Sequence, residues 1–294
     1  VTAEYVTTQM QLEQALASAR KRLPAYQGLL DFYGPVFEAV EASHKNAAPA
    51  PVRLSSDRIE KTRQGGFPLV SPSEFFVDMD AAEALFHQIV SIARKIPGKW
   101  AAFAEAVSTT AGASPLTPSV LFENFLSQND AFFIDIAGQY GVDIRMLTLV
   151  VYNSVLPSLR RCAEQLAAAY LDRETPWEKG FCPVCGNLPG LAVLEENGAR
   201  AFFCAFCYHK WPSRRLFCPY CENTDSGSLQ YFYSEAEDGY RVEVCDRCGK
   251  YLKSVDLRAV SHPVYPPLEL LTTLHLDMKA REAGYESPGA FMME

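Results

Sequence analysis

The sequence predicts an α+β protein: an all-α N-terminal helical domain, two small tandem β modules centred on cysteine, and a closing C-terminal helix. Three observations carry this. Apolar residues recur at helical spacing from about residue 8 to 171. Eight of the nine cysteines then fall between residues 181 and 249 as four Cys-x-x-Cys pairs. Around those pairs the helical period gives way to short strand-like runs, before a last amphipathic stretch begins near residue 268. The expected divisions are 1–172, 173–212, 213–262 and 263–294.

The helical region divides at its breakers. A first helix is expected from Thr8, with Leu12, Leu16 and Ala19 on one face and Arg20, Lys21 and Arg22 at its cation-tolerant end. Pro24 restarts the chain, and a second helix with Tyr26, Phe32, Tyr33 and Phe37 as core aromatics runs to about Ala42. Residues 46–73 hold Pro49, Pro51, Gly65, Gly66, Pro68 and Pro72, and read as one long connection with a flexible Gly-Gly step. Asp80 is expected to cap a helix bearing Ala84, Leu85, Ile89 and Ile92, which Pro97-Gly98 ends. Shorter helices follow over 100–107, 119–126 and 131–140, with Gly141 as terminator. The longest spans 143–170; its face of Ile144, Leu147, Val151, Val155, Leu159, Cys162 and Leu166 makes it central to the bundle. Pro157 is expected to kink it, and Cys162, far from other cysteines, reads as a small core residue.

After a linker over 172–180 the chemistry begins. Cys182/Cys185, Cys204/Cys207, Cys218/Cys221 and Cys245/Cys248 each set two sulfurs on one tight turn, so two pairs complete a tetrahedral four-thiolate site. Gaps of 18 residues between the first two pairs and 23 between the last two each fit a short hairpin, predicting two tandem mononuclear sites of sequential pairing. Strands are expected over 191–194 and 201–203, then 229–233 and 240–244, with turns at 195–198 and 235–239. Cys182-Pro-Val-Cys185-Gly186 and Cys218-Pro-Tyr-Cys221 have the form of rubredoxin-like or zinc-ribbon-like knuckles. His209 is a lesser ligand candidate, and Trp211 is expected to pack on the knuckles. Lys210, Arg214 and Arg215 either tune a metal potential, meet an acidic partner, or form a solvated basic turn. A terminal helix over 268–283, with Leu271, Leu274 and Met278 on one face, is expected to pack back.

Composition narrows the class. With 294 residues and 48% hydrophobic content the chain can bury a substantial core in about two domains. A formal charge of -8 offers no general basic field, so nucleic acid is not an expected partner. No apolar run approaches the ~20 residues of a membrane span, and residues 1–14 show no signal-peptide pattern. A cytoplasmic, reducing setting is therefore expected, with thiolates rather than four disulfides. The five histidines form no His-Glu-x-x-His, and Gly-x-Ser-x-Gly, Walker and dinucleotide-binding motifs are missing, so no conventional enzyme is expected. Four thiolates suit zinc and iron alike, and residue type leaves both open, structural zinc being the first expectation.

Two segments resemble the formate dehydrogenase accessory protein family, FdhE. One is Glu243-Val-Cys245-Asp-Arg-Cys248-Gly-Lys-Tyr251-Leu252-Lys253; the other is Leu274-His-Leu276-Asp277 followed by Glu282-Ala-Gly284-Tyr285. The Cys182 and Cys204 knuckles, Trp211 and the Arg214-Arg215 step also sit where that family has similar residues. One departure is Leu268-Glu269-Leu270, a single acid where the family commonly has Ala-Asp-Asp, so a partner contact made by those acids would differ. The resemblance implies a cytoplasmic assembly factor that contacts the formate dehydrogenase catalytic subunit and binds iron in rubredoxin-like fashion. It shifts the expected pair of mononuclear ions toward iron, with zinc the other candidate. A rubredoxin-type electron carrier is the alternative, and a homodimer stays open.

Overall fold

The computed structural model describes residues 4–110, 116–171, 177–233 and 238–287. The linker expected over 172–180 and the turn over 235–239 therefore lie partly outside the described residues. Among the described residues eight α-helices come first: α1 (Gln9–Arg22), α2 (Gln27–Asn46), α3 (Ser56–Gly65), α4 (Met79–Arg94), α5 (Lys99–Thr110), α6 (Pro118–Leu126), α7 (Asp130–Tyr140) and α8 (Ile144–Tyr170).

Local chemistry sets their ends. Thr8 and Gln11 form a reciprocal capping box at α1, whose Leu12, Ala15, Leu16 and Ala19 are buried. Asp78, not Asp80, caps α4: its carboxylate accepts from Ala81 N at 3.1 Å, while Asp80 is exposed in the first turn. The Asp78 amide in turn donates to Ser158 Oγ of α8 at 3.1 Å, which fixes the start of α4 on its neighbour. The expected long connection contains α3, capped by Ser55 and closed by Gly66 at φ +64°. Gly66 is thus a left-handed helix terminator rather than a flexible step. α8 is buried along most of its length from Leu147 to Leu166, with Pro157 inside it, and α2, α4, α6 and α7 pack around it.

Among the described residues six strands follow: β1 (Pro189–Leu194), β2 (Arg200–Cys204), β3 (Lys210–Ser213), β4 (Leu229–Tyr233), β5 (Tyr240–Cys245) and β6 (Lys250–Asp256). They form one sheet in the order β3-β2-β1-β6-β5-β4. Each module is an antiparallel three-stranded unit, and the two are fused by parallel pairing of β1 with β6, Val193 opposite Val255. At β1, β2 and β3 one face joins the helical core through Ala192, Phe202 and Trp211. The opposite face, with Leu191, Val193, Val242 and Val255, is covered by the C-terminal segment.

That segment is two helices, α9 (Pro266–Thr272) and α10 (Leu274–Glu282), where one was expected. The reason is Lys253 of β6. Its ammonium donates to the carbonyls of Leu270 at 3.0 Å and Thr273 at 3.5 Å, taking acceptors a continuing helix would use. Met278 is 63% exposed instead of on the packed face. Among the described residues no helix is long and apolar enough to cross a membrane.

Candidate metal centres

Each Cys-x-x-Cys pair sits on a turn whose next residue is left-handed: Gly186 (φ 76°), Tyr208 (φ 55°), Glu222 (φ 57°) and Gly249 (φ 67°). Glycine takes this conformation freely, and Tyr208 and Glu222 show that the turn is imposed even without it. The ring closes by backbone bonds, Gly186 N to Cys182 O at 2.9 Å, Glu222 N to Cys218 O at 2.9 Å and Gly249 N to Cys245 O at 2.8 Å. The first knuckle of each module precedes its first strand, and the second lies between its second and third strands.

The pairs gather in sequence order. Cys182, Cys185, Cys204 and Cys207 form one cluster, and Cys218, Cys221, Cys245 and Cys248 the other; in each, the four sulfurs lie within 4.8 Å of one another and can hold a metal ion. In site 1 the sulfurs of Cys182 and Cys207 are 3.8 Å apart, Cys185 and Cys204 3.4 Å, and Cys207 and Cys185 3.6 Å. In site 2 Cys218 to Cys248 and Cys221 to Cys245 are each 3.7 Å. A disulfide needs about 2.05 Å. A tetrahedron with metal–sulfur bonds of about 2.3 Å has sulfur–sulfur edges of about 3.8 Å, so the cages fit a single tetrathiolate-bound ion.

Their surroundings differ. All four cysteines of site 1 are buried, whereas Cys221 and Cys248 of site 2 are part-exposed. Burial pushes the Cys182 and Cys207 thiols well up. Burial also opposes ionisation of Cys185, but hydrogen bonds from Cys182, Cys204 and Cys207 outweigh it and hold that thiol well down. A full set of four thiolates is therefore favoured once a cation balances their charge. In site 2 burial also opposes ionisation of Cys245, but the Cys248 amide, the Asn223 side chain and the Arg247 amide outweigh it and bring that thiol down to about 7.

The helical domain grips site 1 directly. Tyr152 of α8 donates to the carbonyls of Ala205 and Phe206, each at 3.0 Å, inside the second knuckle. Leu69 and Val70 amides donate to Pro183 and Val184 of the first knuckle, both at 2.9 Å. Site 2 is held by the C-terminus instead: the Glu286 amide donates to Gly249 O at 2.8 Å, and Tyr285 Oη donates to Asp246 at 2.6 Å.

The remaining candidates resolve individually. His209 joins neither sulfur cluster; its carbonyl accepts from Cys204 N at 3.0 Å, and burial lowers its imidazole to about 4. Trp211 is buried beside the site 1 core, edge-on to Phe202. Lys210 pairs with Glu195 at 3.0 Å and Arg214 with Glu178 at 2.6 Å, while Arg215 borders a cavity of about 250 Å³ beside Cys218. Cys162 is buried, its thiol donating to Phe76 O at 3.3 Å. Sequence reading missed Asn187 and Asn223, whose amides approach Cys185 and Cys245 sulfurs at 3.6 Å. Their recurrence as Cys-Pro-x-Cys-x-Asn in both modules is a signal the sequence did carry.

A helical region carrying a fused pair of four-cysteine knuckle modules defines a protein with two groups of sulfurs that could each hold a metal ion. Residues 216–293 match the family model described as FdhE, C-terminal domain. A protein FdhE homolog of Aquifex aeolicus is 24% identical over 270 residues, spanning 90% of this chain and 88% of that protein. The FdhE homolog of Pectobacterium carotovorum subsp. carotovorum is 34% identical over 118 residues, 38% of this chain and 37% of its own length. The crystal structure of the FdhE protein from Pseudomonas aeruginosa superposes with a TM-score of 0.66 at 19% identity, over 96% of this chain and 94% of that one, and shares the fold. The chain is thus similar to FdhE proteins along most of its length, and residues 216–293 carry the FdhE C-terminal domain pattern.

The structure gives the resembling segments a physical meaning. Asp277 of the terminal motif accepts from Tyr251 Oη at 2.9 Å and from Lys253 Nζ at 2.5 Å. The Tyr-Leu-Lys stretch and the Leu-Asp stretch are therefore two halves of one latch between β6 and α10.

Proposed function

We propose that this protein is an accessory factor in the maturation of formate dehydrogenase, acting without catalysis and contacting that enzyme's catalytic subunit in the cytoplasm. The observation that carries it is the pair of four-sulfur cages in a chain similar to FdhE proteins. In this reading Cys182, Cys185, Cys204 and Cys207 ligate one ion, and Cys218, Cys221, Cys245 and Cys248 a second. The native ion is iron, held in rubredoxin-like fashion; zinc satisfies the same geometry. Four thiolates neutralise and fix the ion, and the knuckle amides spread their charge. As functional units, a helical domain over residues 1–172 presents the modules 173–212 and 213–262, and residues 263–294 lock the second of them.

The experiment is metal and absorption analysis of anaerobically purified protein, joined to capture of formate dehydrogenase subunits on the immobilised chain. Two ions per chain and retention of the catalytic subunit are expected. Ion-free protein would sink the metal assignment, and failure to retain any formate dehydrogenase subunit would sink the partner.

A second reading, a rubredoxin-type electron carrier, is favoured by one observation: Cys221 and Cys248 of site 2 reach the surface, as electron exchange with a partner requires. A reversible one-electron potential with fast exchange supports it, and colourless zinc-filled protein removes it.

A further inference from the structure

In both modules the second residue after the first knuckle is asparagine, Asn187 beyond Cys185 and Asn223 beyond Cys221. Each does two things. Its backbone carbonyl accepts from the leading cysteine, Cys182 N to Asn187 O at 2.8 Å and Cys218 N to Asn223 O at 2.9 Å. Its side-chain Nδ2 stands 3.6 Å from a sulfur, that of Cys185 in site 1 and of Cys245 in site 2. Any residue could supply the carbonyl, so the turn alone does not call for a carboxamide.

At Asn223 the amide orientation is determined on every side. Oδ1 accepts from Asp225 N at 3.1 Å, and Nδ2 donates one hydrogen to Ser228 Oγ at 2.7 Å, leaving the other for Cys245. The residue is 4% exposed, so water does not compete for that hydrogen.

We propose that Asn187 and Asn223 are positioning residues of the two metal centres, each donating an N–H···S bond to a ligand thiolate, with Asn223 the stronger of the two. This rests on the reading of the eight cysteines as ligands. A donor aimed at sulfur stabilises the anionic ligand and holds it at the cage edge, and the bond strengthens when the sulfur carries charge. The buried carboxamide serves the more exposed site, where solvent would otherwise disturb the ligands.

The test uses the full chain loaded with Co²⁺, whose sulfur-to-metal charge-transfer absorption reports a four-thiolate site. Wild type, N187D, N223D, N223L and S228A are compared by cobalt titration, absorption spectrum and circular dichroism. N223D keeps the shape and the Asp225 acceptor but loses the donor; S228A frees the loop while keeping the amide. N223D and N223L are expected to weaken one of the two cobalt sites about tenfold or more and shift its charge-transfer band. N187D should weaken the other site by less, and S228A should leave band and affinity near wild type. Folded N223D or N187D with wild-type affinity and spectrum at both sites overturns the proposal, as does S228A matching N223D. Wild-type chain that gives no sulfur-to-cobalt absorption instead overturns the ligand reading beneath it.

Discussion

The four sulfurs around Cys182 and the four around Cys245 repeat one another in spacing and in backbone turn, yet they occupy unlike surroundings. Site 1 is sealed between the sheet and α8, and its cysteines belong to the same apolar cluster as Phe86, Phe122 and Leu159 of the helical bundle. Site 2 is the outer member of the pair, with Cys221 and Cys248 part-exposed and a C-terminal strap across Gly249. The difference teaches that a duplicated motif can be split between tasks by what packs on it. Site 1 is built into the core of the helical region, and site 2 opens toward solvent.

The largest predicted effect tests that division. Structural tetrathiolate zinc is worth ~10–16 kcal/mol apparent in peptides, against a net domain stability of about 5–15 kcal/mol. Cys182→Ser should therefore remove an ion together with cooperative unfolding of the helical domain, read as lost soluble protein and a collapsed thermal transition. Cys248→Ser should remove one ion and loosen the strap while the helical circular dichroism and its melting persist. Equal damage from the two variants would end the distinction. Next in size is metal release to a chelator, expected in two phases: one equivalent leaving site 2 at least about tenfold faster, the second leaving only as the helical domain opens. A single phase for both equivalents argues that the sites share one environment.

How much of this was legible in the sequence depends on whether the determining contacts are local. The pairing of the knuckles follows from gaps of 18 and 23 residues, and the helices from local periodicity, so both could be read. α3 could not, because of its ten residues only Thr62 is buried and no apolar stripe marks it. β6 was hidden by its own chemistry. As a central strand it is buried on both faces, but Lys253, Ser254 and Asp256 interrupt the apolar run, the two charges being met by Asp277, Arg241 and Arg258. β3 is four residues with a proline, permissible at a sheet edge and too short to alternate visibly. The break at Thr273 and the parallel β1–β6 seam depend on residues far apart in the chain, which no window of sequence contains. The asymmetry between the sites belongs to the same class: it is set by α8 and by residues 285–286, not by the cysteines.

The latch between β6 and α10 sharpens the comparison from the side of site 2. Lys253 and Asp277 are both largely buried, and removing one partner from such a pair costs about 3–5 kcal/mol. Asp277→Ala should therefore lower the denaturation midpoint, free α10 to proteolysis, and quicken metal loss from site 2. Site 1 loss should be unchanged, because Tyr251 of the latch lies on the sheet face opposite the one that carries Ala192, Phe202 and Trp211. A variant in which both ions leave faster shows that the sheet transmits strain across the β1–β6 seam.

The smallest effect isolates the grip on site 1. Tyr152 carries one hydroxyl proton shared between two carbonyls of the Cys204–Cys207 knuckle. Tyr152→Phe keeps the ring, which packs against Phe125, and removes only the donor. One buried carbonyl and one part-buried carbonyl then lose a partner, at a cost of about 1–3 kcal/mol. The backbone bond from Cys204 N to His209 O remains, so the knuckle should persist with a looser attachment to α8. The measurable result is a modest fall in chemical-denaturation midpoint, with faster release of the slow metal equivalent and no change in the fast one. An altered fast phase would mean that α8 supports both centres alike, and the contrast between a sealed site and an accessible one would fail at its mechanical root.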